Sequence, residues 1–260
     1  MSGGEHSEHT AVRGLLKEAR IPAEGVLFVH CSFRRFHAHG FEVDRFIEAL
    51  LAERRGGTLV MPAMSWRIVT PANPVFDELA TPSHVGILAE RFRTRFASHR
   101  SLHPTHSVSA LGSLAAHLTS GHHLEGTPTG LESPYGRATR EDAHVLMLGI
   151  GLERSTAIHH PEECIAPHVY LHPPEAAEPY ALRGRDGTTY RMRLRRHVKL
   201  NRNFPQFEAP LAAKGKLVRG ILAGTPWIAV SQRDLLADVT AALERNPRAI
   251  IAPPGAPIIP

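Results

Sequence analysis

Val26-Leu27-Phe28-Val29-His30-Cys31-Ser32 and, one helix further on, Gly56-Gly57-Thr58-Leu59-Val60-Met61-Pro62 decide the fold of this chain. Each holds a short apolar run that stops at a polar residue or a proline, as a strand buried on both faces does. Between them Val43, Phe46, Ile47, Leu50 and Leu51 recur at helical spacing over 43–55, and Gly56-Gly57 ends that helix. Strand, helix, strand with short connections predicts a parallel βαβ unit and an α/β class.

Outward from this unit the pattern continues. Val12, Leu15, Leu16 and Ala19 predict an amphipathic helix over 10–19. Residues 65–80 are proline-rich without a period and read as a loop of the length usually tied to function. Thr81-Pro82-Ser83 is the expected cap of a helix carrying Ile87, Leu88, Phe92 and Phe96. Ser107-Val108-Ser109-Ala110-Leu111 predicts a strand, 114–118 a short helix, and His144-Val145-Leu146-Met147-Leu148 another buried strand. Tyr190-Arg191-Met192-Arg193-Leu194-Arg195 alternates apolar and basic residues, as an antiparallel strand facing solvent does. A helix over 208–214, a strand over 217–222 and a helix over 231–245 follow; the Pro-rich tail from about 252 suits neither helix nor central strand. With no repeat or linker in view, we expect a single domain over 1–260, a central mixed sheet flanked by helices.

Composition narrows the function. No apolar run reaches the ~18 residues of a membrane span, so no membrane partner is expected. Met1-Ser2-Gly3-Gly4-Glu5-His6 has no apolar core of a secretory signal. Cys31 and Cys164 are the only cysteines, which excludes a disulfide framework and fits a cytoplasmic protein. The formal charge is +5. Only Lys17, Lys199, Lys214 and Lys216 among the 30 basic residues are lysines. Arginine suits bidentate phosphate contacts, and a basic cleft draws an anionic ligand. The arginines are scattered, and aromatics make up 6% of the chain, so nucleic acid is not expected as a partner.

The chemistry is sought beyond the strand ends, where open α/β sheets bind ligands. His30-Cys31-Ser32-Phe33-Arg34-Arg35 and Met61-Pro62-Ala63-Met64-Ser65 would border one crevice. No His-Glu-x-x-His motif occurs, so no metal is expected. Neither a Gly-x-Ser-x-Gly elbow nor a P-loop is present, and Gly149-Ile150-Gly151 lacks the third glycine of a dinucleotide fingerprint. A histidine followed three residues later by a glutamate recurs, as at His122/Glu125, His159/Glu162, His160/Glu163 and His172/Glu175. On a helix that spacing sets both on one face, where the carboxylate can orient and charge the imidazole as a base. Only the 159–163 group follows a buried strand, a Gly-x-Gly turn and a hydroxyl pair, Ser155-Thr156, able to cap a new helix. Context thus selects this segment without choosing between His159/Glu162 and His160/Glu163. Cys31 as a nucleophile paired with His159 is the alternative.

Four motifs together resemble the aminoglycoside 3-N-acetyltransferase family, the antibiotic N-acetyltransferases distinct from the GCN5 type. They are Leu27-Phe28-Val29-His30-Cys31-Ser32, Gly57-Thr58-Leu59-Val60-Met61-Pro62, Arg100-Ser101-Leu102-His103-Pro104-Thr105-His106-Ser107-Val108 and Thr156-Ala157-Ile158-His159-His160-Pro161-Glu162. The resemblance implies an antibiotic N-acetyltransferase fold that takes acetyl-CoA as co-substrate. The acetyl group would go to an amine of a small molecule, an aminoglycoside or a related natural-product amine, with antibiotic resistance as one role. By its Thr-x-x-His-x-x-Glu pattern it makes His159 the base and Glu162 its orienting carboxylate, with direct transfer in a ternary complex. Ser32, Arg34, Arg35, Arg100 and Ser107 are the expected CoA contacts; Ser65, Trp66 and Glu163 are the expected substrate contacts. A homodimer is compatible with it. Acyl transfer through Cys31, or CoA binding with little turnover, are the alternatives. Members acting on aminoglycosides tend to be acidic, whereas this chain has a pI of about 9.6. Like charges disfavour encounter, so a neutral or anionic amine is expected as acceptor.

Overall fold

Apolar alternation on both sides of three short strands builds the centre of the molecule. In the computed structural model, which describes residues 3–253, the strands are β1 (Val26–Cys31), β2 (Thr58–Pro62), β3 (Val75–Asp77), β4 (His99–Arg100), β5 (Val108–Gly112), β6 (Ala143–Leu148), β7 (Glu178–Arg183), β8 (Thr189–Leu194), β9 (Leu217–Leu222) and β10 (Thr225–Ser231). Seven of them form one sheet in the order β4-β5-β2-β1-β6-β10-β9. β1 pairs in parallel with β2 and with β6, while β5 and β10 join antiparallel outside them. The expected mixed α/β sheet is therefore present. The carboxyl ends of β1, β2 and β6 (Cys31, Pro62 and Leu148) lie at one edge.

Successive side chains of a strand point to opposite faces, and two apolar layers result. Val26, Phe28, Val60, Val145 and Met147 enter one, with Leu235, Leu236, Val239 and Leu243 of the helix Gln232–Arg245. Leu27, Val29, Leu59, Met61, Leu146 and Leu148 enter the other, with residues of the helices Gly3–Glu18, Val43–Ala52 and Ile87–Arg95. Each such side chain, fully buried, contributes about 1.5–3 kcal/mol. The bulky Phe33-Arg34-Arg35-Phe36 segment is resolved by the same logic. Phe33 and Phe36 turn inward onto Phe46, at 5.5 and 5.3 Å between ring centroids, and Arg34 and Arg35 stay exposed.

Three expectations change. The loop over 65–80 contains β3, which pairs with β7 in a separate sheet of order β3-β7-β8 around Phe76, Tyr180, Leu182, Met192 and Leu194. The helix after Thr81-Pro82-Ser83 starts only at Ile87 behind Gly86, with no side-chain cap; instead Glu90 accepts from the Ser83 amide, and Ile87 is exposed rather than core. Ser155 and Thr156 likewise make no cap bond. A short 3-10 turn, Thr156–Ile158, leads directly into the helix His159–Ile165, so the backbone itself supplies the entry. Of the Pro-rich tail, 254–260 lie outside the described residues, as do Met1 and Ser2. No helix among the described residues is long and apolar enough to cross a membrane.

Candidate active site

A cavity of about 1060 Å³ opens where β1, β2 and β6 end. That is the size of a small-molecule site, at the place an open α/β sheet offers one. Gly149, next to the lining residue Ile150, turns the chain out of β6 at φ 70°, and a Cβ there would come 3.2 Å from the Ser32 carbonyl oxygen. The wall includes His30 and Cys31 at the end of β1, Ser32 and Arg34 beyond it, Trp66 and Arg67 after β2, and the first turn of the helix Ile87–Arg95. Opposite them stand Thr105, His106, Glu153 to Thr156, His159 and the segment 196–204 that follows β8.

His159 occupies the first position of its helix and Glu162 the next turn, so the two meet as the spacing requires. Nδ1 of the imidazole lies 2.7 Å from Glu162 Oε2. This leaves Nε2 as the free ring nitrogen of a residue on the cavity wall. Burial pushes the imidazole down to about 4, against the pull of Glu162, so the ring is neutral at pH 7 and able to accept a proton. For Glu162, burial favours the neutral acid, but His159 and the Arg202 guanidinium overcome it and hold the carboxyl below its ordinary range. Arg202 Nε donates to both Glu162 oxygens, at 2.8 and 3.2 Å. The result is a buried Arg202–Glu162–His159 chain in which the carboxylate is fixed from behind and the imidazole from its inner nitrogen.

A second pair backs the first. The His197 ring stacks on His159 at 4.5 Å between centroids and 30° between planes, and its Nε2 lies 2.7 Å from Glu163 Oε1. Glu163 also accepts from the Thr129 amide with both oxygens. Phe204 closes the site edge-on to His159 at 5.2 Å. His159, Glu162 and His197 set three potential ligand atoms within 4.8 Å of one another. That spacing accepts a cation, but Glu162 would have to abandon Arg202 and His159 to serve it, leaving a buried guanidinium unpaired.

Of the residues expected in the site, His159, Ser32, Arg34 and Trp66 stand on the cavity wall, with Glu162 directly behind His159. Five others do not line it. Arg35 is exposed away from it. Ser65 is buried and donates to the Pro104 carbonyl. Ser107 donates to the Ala63 carbonyl. Glu163 is committed to Thr129 and His197. Arg100, 5% exposed, donates to the carbonyls of Glu78, Thr81 and Ala63 and to the Ser107 hydroxyl, and lies over the Phe76 ring at 4.7 Å. Its charge is the reason to expect it on a phosphate; its donors instead tie β4 to the segments that follow β2 and β3. Truncation of Arg100 to Ala removes four hydrogen bonds from a buried site, and we expect a stability loss of about 3 kcal/mol by denaturant titration, with CoA affinity of the folded protein unchanged.

Sequence reasoning missed His106, His197 and Arg202. His106 stood within a quoted motif; the other two carried no local signal, because their partners are supplied by the fold.

A family model described as aminoglycoside 3-N-acetyltransferase matches residues 28–244. Aminoglycoside N(3)-acetyltransferase IV of Salmonella sp is 34% identical over 147 residues, covering 56% of this chain and 55% of that protein. Aminoglycoside N(3)-acetyltransferase III of Pseudomonas aeruginosa is 42% identical over 161 residues, covering 55% of this chain and 58% of that one. The chain thus spans a little over half the length of these curated relatives. Among solved structures, the AAC(3)-IVa apoenzyme superposes with a TM-score of 0.78 at 25% identity, over 97% of this chain and 93% of that one. A histidine-to-alanine mutant of AAC(3)-IVa in complex with a gentamicin gives 0.77 at 27% identity, over 93% and 90%. AAC-IIIb in binary complex with CoASH gives 0.76 at 22%, over 94% and 98%.

Proposed function

This chain belongs to the aminoglycoside 3-N-acetyltransferase family, and from that membership we propose that it acetylates an amine of a small molecule directly from acetyl-CoA, with His159 as general base. The observation that carries the reading is the Arg202–Glu162–His159 chain: a neutral imidazole on the cavity wall, its inner nitrogen fixed by an ionised carboxylate. An ammonium group must give one proton to solvent before its nitrogen can attack, and the attacking neutral amine must lose a second as the amide forms. His159 Nε2 takes that proton as the nitrogen bonds to the thioester carbonyl carbon. The C–S bond then breaks, and the proton passes from the imidazolium to the departing thiolate. Glu162 stabilises the imidazolium for as long as it exists.

The thioester oxygen gains charge in this step and needs donors. The Ser32 amide is spent on the Leu148 carbonyl, but the Ser32 side chain stays on the wall. The Ser155 hydroxyl, buried on the same wall with no hydrogen-bond partner among the described residues, is the second candidate. Arg34 and Arg67, with the uncapped first turn of the helix Ile87–Arg95, supply positive potential for the CoA phosphates. The CoA complex of AAC-IIIb supports a cofactor site of this kind, and the gentamicin complex of the AAC(3)-IVa mutant supports an amine-bearing acceptor.

Cys31 is poorly suited to an acyl-enzyme. Burial pushes its thiol far above the ordinary range, and the thiolate is the nucleophilic form. Cys31→Ser is expected to keep kcat within about threefold, and initial rates with both substrates varied should give intersecting lines. Parallel lines, together with an inactive serine variant, would replace direct transfer by the acyl-enzyme route. Release of free CoA thiol on adding amines to protein and acetyl-CoA tests the function itself.

A further inference from the structure

Charge on the cavity wall identifies the kind of acceptor. Six cationic side chains line it: Arg34, Arg67, Arg154, Arg196, Lys199 and Arg202. Among the described residues only Glu153 lines it as a carboxylate, and one of its oxygens already accepts from the Gly151 amide. Glu162 and Glu163, which contact the lining residues His159 and His197, are engaged by Arg202 and His159 and by His197 and Thr129. A polycationic amine needs several free carboxylates, and this wall does not provide them.

Four of the cations fall into two groups. Arg34 and Arg67 follow β1 and β2, where the strand ends and the first turn of a helix border the cavity. Arg196 and Lys199 flank His197, whose ring lies against the proposed base at 4.5 Å, and all three line the cavity that the base borders. Arg196 is 3.6 Å from the half-exposed Glu178, and no salt bridge engages Lys199 among the described residues. A cation without a counter-ion beside a base that must receive an amine is unfavourable for an ammonium group and favourable for an anion attached to it.

Resting on the acetyl-transfer reading above, we infer that the acceptor is an amine that also carries an anionic group, a carboxylate or a phosphate, which Arg196 and Lys199 bind while His159 takes the proton from its nitrogen. The reaction is unchanged: an N–C bond forms, the C–S bond breaks, and the amine proton ends on the CoA thiol. The anion lowers the acceptor's net charge and holds the nitrogen at the base.

The test is thiol release from acetyl-CoA with amines matched in all but the distal group: 3-aminopropylphosphonate, 4-aminobutanoate and 1,3-diaminopropane, then glucosamine 6-phosphate against glucosamine, with kanamycin alongside. The inference expects kcat/KM at least tenfold higher for an anion-bearing member than for its matched partner and for kanamycin. That preference should shrink as salt is raised. The phosphonate and carboxylate arms tell which anion is preferred. Lys199→Glu should abolish the preference with the KM for acetyl-CoA unchanged within twofold, and Lys199→Arg should restore it. Equal or faster turnover of kanamycin or the diamine overturns the inference and leaves acetyl transfer standing. CoA binding by calorimetry without thiol release from any of these amines overturns acetyl transfer, and the inference with it.

Discussion

His159→Ala is expected to lower kcat about 10³-fold while the dissociation constant for CoA, measured by calorimetry, stays within about twofold. The size follows from what the ring supplies: a neutral base at the cavity wall, oriented from its inner nitrogen by Glu162 at 2.7 Å. Its truncation removes the proposed proton acceptor and leaves the side of the cavity proposed for the CoA phosphates untouched. Glu162→Gln acts through the ring and is expected to cost about 10² in kcat. It also moves the acid limb of kcat to lower pH, because the carboxylate raises the basicity of His159 and its loss lets burial prevail. A merely structural glutamate would not move that limb. Since the change also leaves Arg202 unpaired, the thermal midpoint is measured in parallel. A His159→Ala protein with near-normal kcat would remove the proposed base.

Acidification should unfold this protein unusually early. His30, His103, His106 and His122 are held below the ordinary imidazole range, first of all by burial, with His30 at about 4 and His122 at about 3. Hydrogen bonding explains why the neutral forms persist. His103 Nδ1 accepts the amides of Thr105 and His106, so it has no room for a proton. His122 sits between the Ser101 hydroxyl and the Pro128 carbonyl, satisfied as one neutral tautomer. Below the unfolded value of ~6.5 the unfolded chain binds protons that the folded chain refuses, so stability is full above that pH and falls as pH drops toward the folded values. At pH 5 each such histidine costs about 2 kcal/mol. Together they rival the ~5–15 kcal/mol that holds a typical domain. Thermal midpoints by circular dichroism should fall steeply between pH 6.5 and pH 5, and a midpoint flat over that range would contradict the neutral buried cluster.

The parallel core was legible because its residues say the same thing at every scale. Val26 to Val29 and Thr58 to Met61 are apolar runs bounded by turn residues, and they pair as expected. β3 and β7 were hidden for the opposite reason: their apolar residues, Phe76, Tyr180 and Leu182, serve a small separate core and stand amid prolines and charges. β10 was overlooked because Pro226 interrupts its apolar run near the start, where the antiparallel ladder tolerates it. In the site, local spacing and context pointed to the 159–163 segment, and only the family resemblance chose His159 and Glu162 within it, which meet one helical turn apart. Nothing local could reveal Arg202, which reaches Glu162 from 40 residues away. Arg100 shows the converse error, since a charge visible in the sequence says nothing of how many carbonyls the fold will wrap around it.

The proton-handling pair rides on a helix of the large sheet, while Arg196, His197 and Lys199 arrive on a strap leaving the small one. If His159 is the base and the strap holds the acceptor's anion, reactivity and choosiness sit on separate pieces of chain, pinned together at Arg202. Exchanging the strap would then change the molecules recognised without rebuilding the engine beneath, provided that single arginine rivet is kept.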